Sequence, residues 1–236
     1  ETGVRIRPME GPDKNNYDVL SFDCYGTLID WSRGINDYLI PVFLNHDAHV
    51  IDSWVLDFFA EVEPEIQAGG GSYREVLTEV VNRFATRLGF TPTAEELAGF
   101  ADSVGSWPPF ADSRAALERL DEAFDLVVIS NVDRDLFDAT QTSLGVEFAH
   151  VITAGEIGAY KPDLKMFEAA RDAIGADARQ LHVAQSRFHD IAPAGSMELD
   201  TVWLNRGAAD ATQASDAKPT WTFSTLGEFA DAILGA

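Results

Sequence analysis

Four stretches of this 236-residue chain carry side chains suited to covalent chemistry. Asp23 closes an apolar run over residues 17–22 and is followed by Gly26-Thr27. Ser130-Asn131 follow a second apolar run at 126–129, and Lys161 sits in Gly158-Ala159-Tyr160-Lys161-Pro162-Asp163. Gln185-Ser186-Arg187-Phe188-His189-Asp190 follow a further run at 181–184. A carboxylate at the end of a buried strand loses hydration and needs a partner. A lysine between two acids would hold them ionised, and a hydroxyl-amide pair can orient a polar substrate. Each group also has an ordinary account. Asp23 can cap a turn, Ser130-Asn131 and Asp190 can cap helices, and Lys161 can be a surface lysine. Only their meeting at one place would make a site.

The elements between them decide whether they meet. Residues 1–16 read as a loose polar tail in which Met9 is a candidate natural start, with what precedes it a remnant. The spacing predicts strands at 17–22, 126–129, 149–153, 181–184, 201–204 and 221–223. It predicts helices at 115–124, 136–144, 162–174 with Pro162 in the first turn, 191–199, and one running through Leu234. Between 33 and 107 the pattern is helical only. Trp54, Val55, Phe58, Phe59 and Val62 share one face, and Val76, Leu77, Val80, Val81, Phe84 and Leu88 another, with Gly69-Gly70-Gly71 between them. Ser72 with Glu75 and Thr93 with Glu96 have capping-box spacing. A helix over 35–44 contains Pro41, which predicts a kink or late start. The fold class is therefore α/β: a doubly wound, mostly parallel, Rossmann-like sheet with an inserted all-helical cap. The core comprises 17–32 and 108–236, the cap 33–107. In such a sheet ligands bind outside the carboxyl ends of the strands, where all four stretches fall.

Composition narrows the partners. An apolar content of 46% supports a packed core. A formal charge of −22 argues against nucleic acid or an anionic membrane as the partner and leaves a small molecule. The single cysteine, Cys24, excludes an intramolecular disulfide, reads as an inert buried thiol, and fits a reducing cytoplasm. No apolar stretch is long enough to span a bilayer, and residues 1–8 lack a signal-peptide core. His182 reads as a packed core histidine, and His46 and His150 show no metal-ligand spacing. Trp107 and Phe110, flanking Pro108-Pro109, read as hinge packing within reach of a substrate.

The segments Phe22-Asp23-Cys24-Tyr25-Gly26-Thr27-Leu28, Ser130-Asn131, Tyr160-Lys161-Pro162 and Asp190 resemble, in order and spacing, the four motifs of the haloacid dehalogenase superfamily. The resemblance covers the chain from residue 17 onward and implies a helical cap and a nucleophilic aspartate, Asp23. Most members are Mg²⁺-dependent phosphatases with a second aspartate at the position of Tyr25 and a metal-binding aspartate near Gln185-Ser186. Tyr25 is a poor acid near neutral pH, since a phenol titrates near ~10. The Asp-x-Tyr-Gly-Thr form is similar to the metal-free 2-haloacid dehalogenase branch. That resemblance implies an ester between Asp23 and C2 of a 2-haloalkanoic acid, later hydrolysed by water. Lys161 and Asp190 would then be catalytic, with Ser130 and Asn131 holding the substrate carboxylate or halide. Tyr25, Thr27, Gln185, Ser186, Arg187 and His189 would line the substrate site. No cofactor is expected, nor a metal; a Mg²⁺ would have Asp23 and Asp190 as ligands. The branch places an arginine early in the cap, and residues 35–45 contain none. Arg33 and Arg74 read as surface residues, leaving Arg187 as a candidate positive charge. A phosphatase with a degenerate metal site and a non-catalytic carboxylate binder are the alternatives. A homodimer is a further possibility implied by the family.

Overall fold

The computed structural model describes residues 11–207 and 215–235. Six strands form one sheet: β1 (Val19–Phe22), β2 (Asp125–Ser130), β3 (His150–Thr153), β4 (Gln180–Ala184), β5 (Asp200–Leu204) and β6 (Trp221–Phe223), in the order β3-β2-β1-β4-β5-β6. All neighbouring pairs are parallel. β1 is central and buried along its whole length, as expected where helices cover both faces of a parallel sheet. The chain steps outward from β1 to β3 and then returns to the other side of β1 as β4. The carboxyl ends of β1 and β4 therefore flank the topological switch point, where a crevice opens.

Between β1 and β2 run α1 (Trp31–Asn45), α2 (Asp52–Gln67), α3 (Tyr73–Leu88), α4 (Ala94–Ser103) and α5 (Ser113–Asp121). The capping boxes of Ser72 with Glu75 and Thr93 with Glu96 are both formed, fixing the starts of α3 and α4. The two crossings between the sheet and these helices lie side by side, through Asp30 N to Pro108 O at 2.8 Å and Phe110 N to Leu28 O at 3.0 Å. Two contacts tie the start of α3 back to the sheet side. The Asp133 carboxylate accepts from Tyr73 N and Arg74 N at 3.1 and 3.0 Å, and the Tyr160 hydroxyl donates to Gly71 O at 3.1 Å.

After β2 come α6 (Arg134–Leu144), α7 (Ala154–Ile157), α8 (Lys165–Ile174), α9 (Ala192–Ser196) and α10 (Leu226–Leu234). Three local expectations need correction. The first helix starts at Trp31, capped by Asp30, and continues through Pro41. Pro162 is not in the first turn of a helix: it follows a cis peptide in a turn, and α8 begins at Lys165. Within the expected loose tail, Lys14–Asn16 forms a 3-10 turn capped by Asp13, and Asn15 O accepts from Arg179; residues 1–10 lie outside the described residues. No helix among the described residues is long and apolar enough to cross a membrane.

Candidate active site

The parallel register brings the four stretches together. Asp23 leaves the end of β1, its amide donating to Val183 O of β4. Lys161 reaches in from the turn after α7, and Asp190 from a π-turn, Arg187–Ile191, after β4. The Lys161 ammonium stands 2.8 Å from Asp23 Oδ1, 2.8 Å from Asp190 Oδ1 and 2.8 Å from Ile129 O. All three side chains are buried, Asp190 completely. One cation is thus shared by two carboxylates, and the three groups carry a net negative charge.

The two acids are held differently. Burial pushes the Asp23 carboxyl up; Lys161 opposes this and Asp190 adds to it. Burial acts the same way on Asp190, but Lys161 and His182 outweigh it and hold that carboxyl below its ordinary value. Lys161 resists its own burial through Asp190 and Asp23 and stays charged. Asp190 is therefore the fixed anion and Asp23 the exchangeable one. Asp190 Oδ2 is buried with no hydrogen-bond partner among the described residues, and so is Ser130 Oγ. Buried polar atoms rarely stay unpaired. Both atoms belong to residues that line the same cavity.

The expected site residues separate into those facing the cavity and those supporting it. Asp23, Tyr25, Ser130, Asn131, Lys161, Gln185, Ser186, His189 and Asp190 all line one cavity of about 130 Å³. Thr27 has a different place: its hydroxyl donates to Asp23 Oδ2 at 2.6 Å and accepts from Gln185 N at 2.9 Å, so it orients the carboxylate. Asn131 clamps the Lys161 backbone, accepting from Lys161 N at 2.6 Å and donating to Lys161 O at 3.1 Å. The Tyr25 hydroxyl pairs with Thr140 Oγ1 at 2.8 Å, and burial keeps the phenol protonated far above its ordinary range. Ser186 Oγ accepts from His189 N at 3.0 Å. Arg187 is not among the cavity-lining residues, contrary to expectation; its guanidinium lies over the Trp203 ring, 4.9 Å from the centroid. Arg33 pairs with Asp37, and Arg74 with Asp102 and Asp135, at the surface.

Sequence reasoning missed the support beneath Asp190. His182 is fully buried, as expected, but does more than pack. Its Nε2 lies 3.1 Å from Asp190 Oδ1 and its Nδ1 2.9 Å from Ser21 Oγ, Ser21 and His182 being register partners on β1 and β4. The cap side of the cavity was missed as well. Trp31 and Ile35 from α1, Phe59, Glu63 and Gln67 from α2, and Tyr73 from α3 form that wall. Glu63 follows Phe59 by four residues, hence on one face of the helix, and an acid on an apolar stripe was the signal available. Trp107 also lines the cavity, its ring edge-on to Tyr25 at 5.8 Å.

A family model of haloacid dehalogenase-like hydrolases matches residues 17–185. Over 227 residues the chain is 25% identical to an (S)-2-haloacid dehalogenase of Pseudomonas fluorescens, covering 94% of this chain and 98% of that one. Over an equal length it is 27% identical to an (S)-2-haloacid dehalogenase of Pseudomonas putida, with the same shares covered. The fold superposes with a TM-score of 0.78 on the L-2-haloacid dehalogenase from Xanthobacter autotrophicus with chloropropionic acid covalently bound. That match has 17% identity and covers 93% of this chain and 99% of the other.

Proposed function

This chain belongs to the haloacid dehalogenase-like hydrolases, and on that footing we propose that it displaces halide from C2 of a small 2-haloalkanoic acid through an ester on Asp23. The observation that carries this reading is the Asp23–Lys161–Asp190 cluster at one end of a small cavity. Thr27 and Lys161 each hold one oxygen of the Asp23 carboxylate, so it meets the substrate pre-aimed. A positioned nucleophile needs little reorganisation in the transition state. Asp23 attacks C2, the carbon–halogen bond breaks, and the electron pair leaves with the halide. The Ser130 hydroxyl is the available donor to the substrate carboxylate.

Water then adds to the ester carbonyl. Lys161 at Oδ1 stabilises the charge that appears there, and Asp190 Oδ2 is the acceptor that positions the water. Collapse breaks the bond between the Asp23 carbonyl carbon and the substrate oxygen. One water proton passes by way of Asp190 to that oxygen and the other leaves to solvent, so the Asp23 carboxylate returns and the 2-hydroxy acid is released. The donor set does not fit Mg²⁺, an ion that wants hard oxygen ligands. The Lys161 ammonium stands between the two acids such an ion would bridge, and Tyr25, Gln185 and Ser186 add no carboxylate. Small acids match the cavity volume of about 130 Å³, which is below the roughly 300 Å³ where drug-sized sites begin.

The test offers 2-chloropropionate and an aryl phosphate, each in EDTA and in Mg²⁺. Chloride release in EDTA is expected. Mg²⁺-dependent phosphate release without any chloride release would overturn the reading in favour of a phosphatase.

A further inference from the structure

The cap wall lacks a cation. Among the described residues lining the cavity, the lysine or arginine is Lys161, which is on the sheet side and engaged by two acids. An in-line displacement by Asp23 sends the leaving group away from the sheet, toward α2 and α3. The polar side chains on that wall include Glu63, Gln67 and Tyr73. The Gln67 amide donates to Glu63 Oε1, and the Tyr73 hydroxyl is a second hydrogen-bond partner of the Glu63 carboxyl.

We propose that Glu63, as a neutral carboxylic acid, is the leaving-group site and donates a hydrogen bond to the halide as the carbon–halogen bond breaks. The proposal rests on the displacement reading above. No proton is transferred: the halide leaves with the bonding pair and Glu63 keeps its hydrogen. Donors aimed at developing charge stabilise the transition state most in a site shut off from water. An ionised Glu63 would repel the halide instead, so the site works in one protonation state only.

Burial pushes the Glu63 carboxyl up to about 7, against the nearby Tyr73 hydroxyl. Most of the groups that face it keep their charge over the same range. The Tyr73 and Tyr25 phenols are pushed well above their ordinary value and Tyr160 to about 12. Lys161 is raised, Asp190 is lowered, and burial pushes His189 below the ordinary histidine value. Asp23, which is raised, and His189 are the competitors; the experiment removes the charge of the first, and the Glu63→Gln comparison separates the second.

Chloride is titrated into the Asp23→Asn protein at pH 6 and pH 8, read by the fluorescence of Trp31 and Trp107, which line the cavity. The competent fraction of a group titrating at 7 falls from about nine-tenths to about one-tenth, so the chloride Kd rises about tenfold. Adding Glu63→Gln, which keeps a donor and loses the titration, makes the Kd equal at the two pH values. A Kd unchanged in Asp23→Asn, or a shift that persists with Glu63→Gln, overturns the proposal. Chloride release from 2-chloropropionate by the unaltered protein is measured alongside. Turnover with a flat Kd overturns the Glu63 assignment alone; a tenfold-shifted Kd without turnover overturns the displacement reading and the leaving-group role with it, leaving Glu63 as an acid-dependent anion site.

Discussion

The imidazole of His182 lies 3.1 Å from Asp190 Oδ1 and carries the proton that bond needs. The Gln180 amide donates to Ser21 Oγ at 2.6 Å, so the serine hydroxyl is free to donate onward to His182 Nδ1, 2.9 Å away. A ring that accepts at Nδ1 presents N–H at Nε2. The chain Gln180, Ser21, His182 thus ends as a donor to the acid that is assigned the water. Removing such a donor to a charged, buried acceptor costs about 1.5–3 kcal/mol. His182→Leu should therefore slow ester hydrolysis by roughly tenfold to a hundredfold, with ester formation affected less. Mass spectrometry should find the Asp23 adduct accumulating during turnover, and His182→Gln should partly restore its clearance. Equal slowing of both steps would contradict this role.

Lys161 separates two carboxylates that cannot comfortably share a dry site. Lys161→Met should destabilise the fold by about 3–5 kcal/mol at pH 8, read by urea unfolding. Without the ammonium, both acids hold protons in the native state to higher pH than in the unfolded chain. Stability that depends on a raised carboxyl is present at low pH and lost as pH rises. The penalty should thus shrink toward pH 5; a penalty independent of pH would argue against the shared-cation account.

Under the displacement proposed above, Asp23 sets the acid limb of turnover. Its carboxyl must be ionised to attack, and burial pushes it up. Single-turnover ester formation should therefore rise with pH from above the ordinary carboxylate range. Asp23→Asn should reduce chloride release to background, while Asp190→Asn should form the ester and fail to clear it. Stoichiometric adduct in Asp190→Asn and none in Asp23→Asn checks both assignments.

Gly34 lets α1 approach the hinge tryptophan. A Cβ there would lie 2.2 Å from Trp107 Cγ, within a ring that must move to make room. Overpacking of this kind costs about 1–3 kcal/mol. Gly34→Ala should lower the thermal midpoint and, because Trp107 lines the cavity and packs on Tyr25, raise KM. Unchanged tryptophan emission together with an unchanged KM would show that the ring had not moved.

Much of the architecture was legible because parallel strands buried on both faces read as apolar runs. Phe22, Ile129 and Ala184 each announce a strand end, and the polar residue after each was visibly out of place. Pro162 misled because a proline before a helical pattern usually marks the first turn; here it belongs to the turn that aims Lys161. Asn131 looked like a substrate contact because nothing local shows that its partner is the backbone 30 residues on. His182 was hidden by its setting, since a histidine within a buried strand has the same pattern whether it only packs or also donates to Asp190. Glu63 was overlooked because acids on helices are usually solvated, and its burial depends on how α2 sits over the sheet.

The Lys161–Asp23 bond spans 138 positions of sequence, and β1 pairs with β4, which lies still further along the chain. Contacts of such long separation form slowly, because loop closure must come before they can stabilise anything. The proposed nucleophile is therefore expected to reach its working setting late in refolding, once the strands beside β1 have docked. Recovery of turnover is accordingly a clock for completion of the sheet, later than any signal from the helices, whose contacts are local.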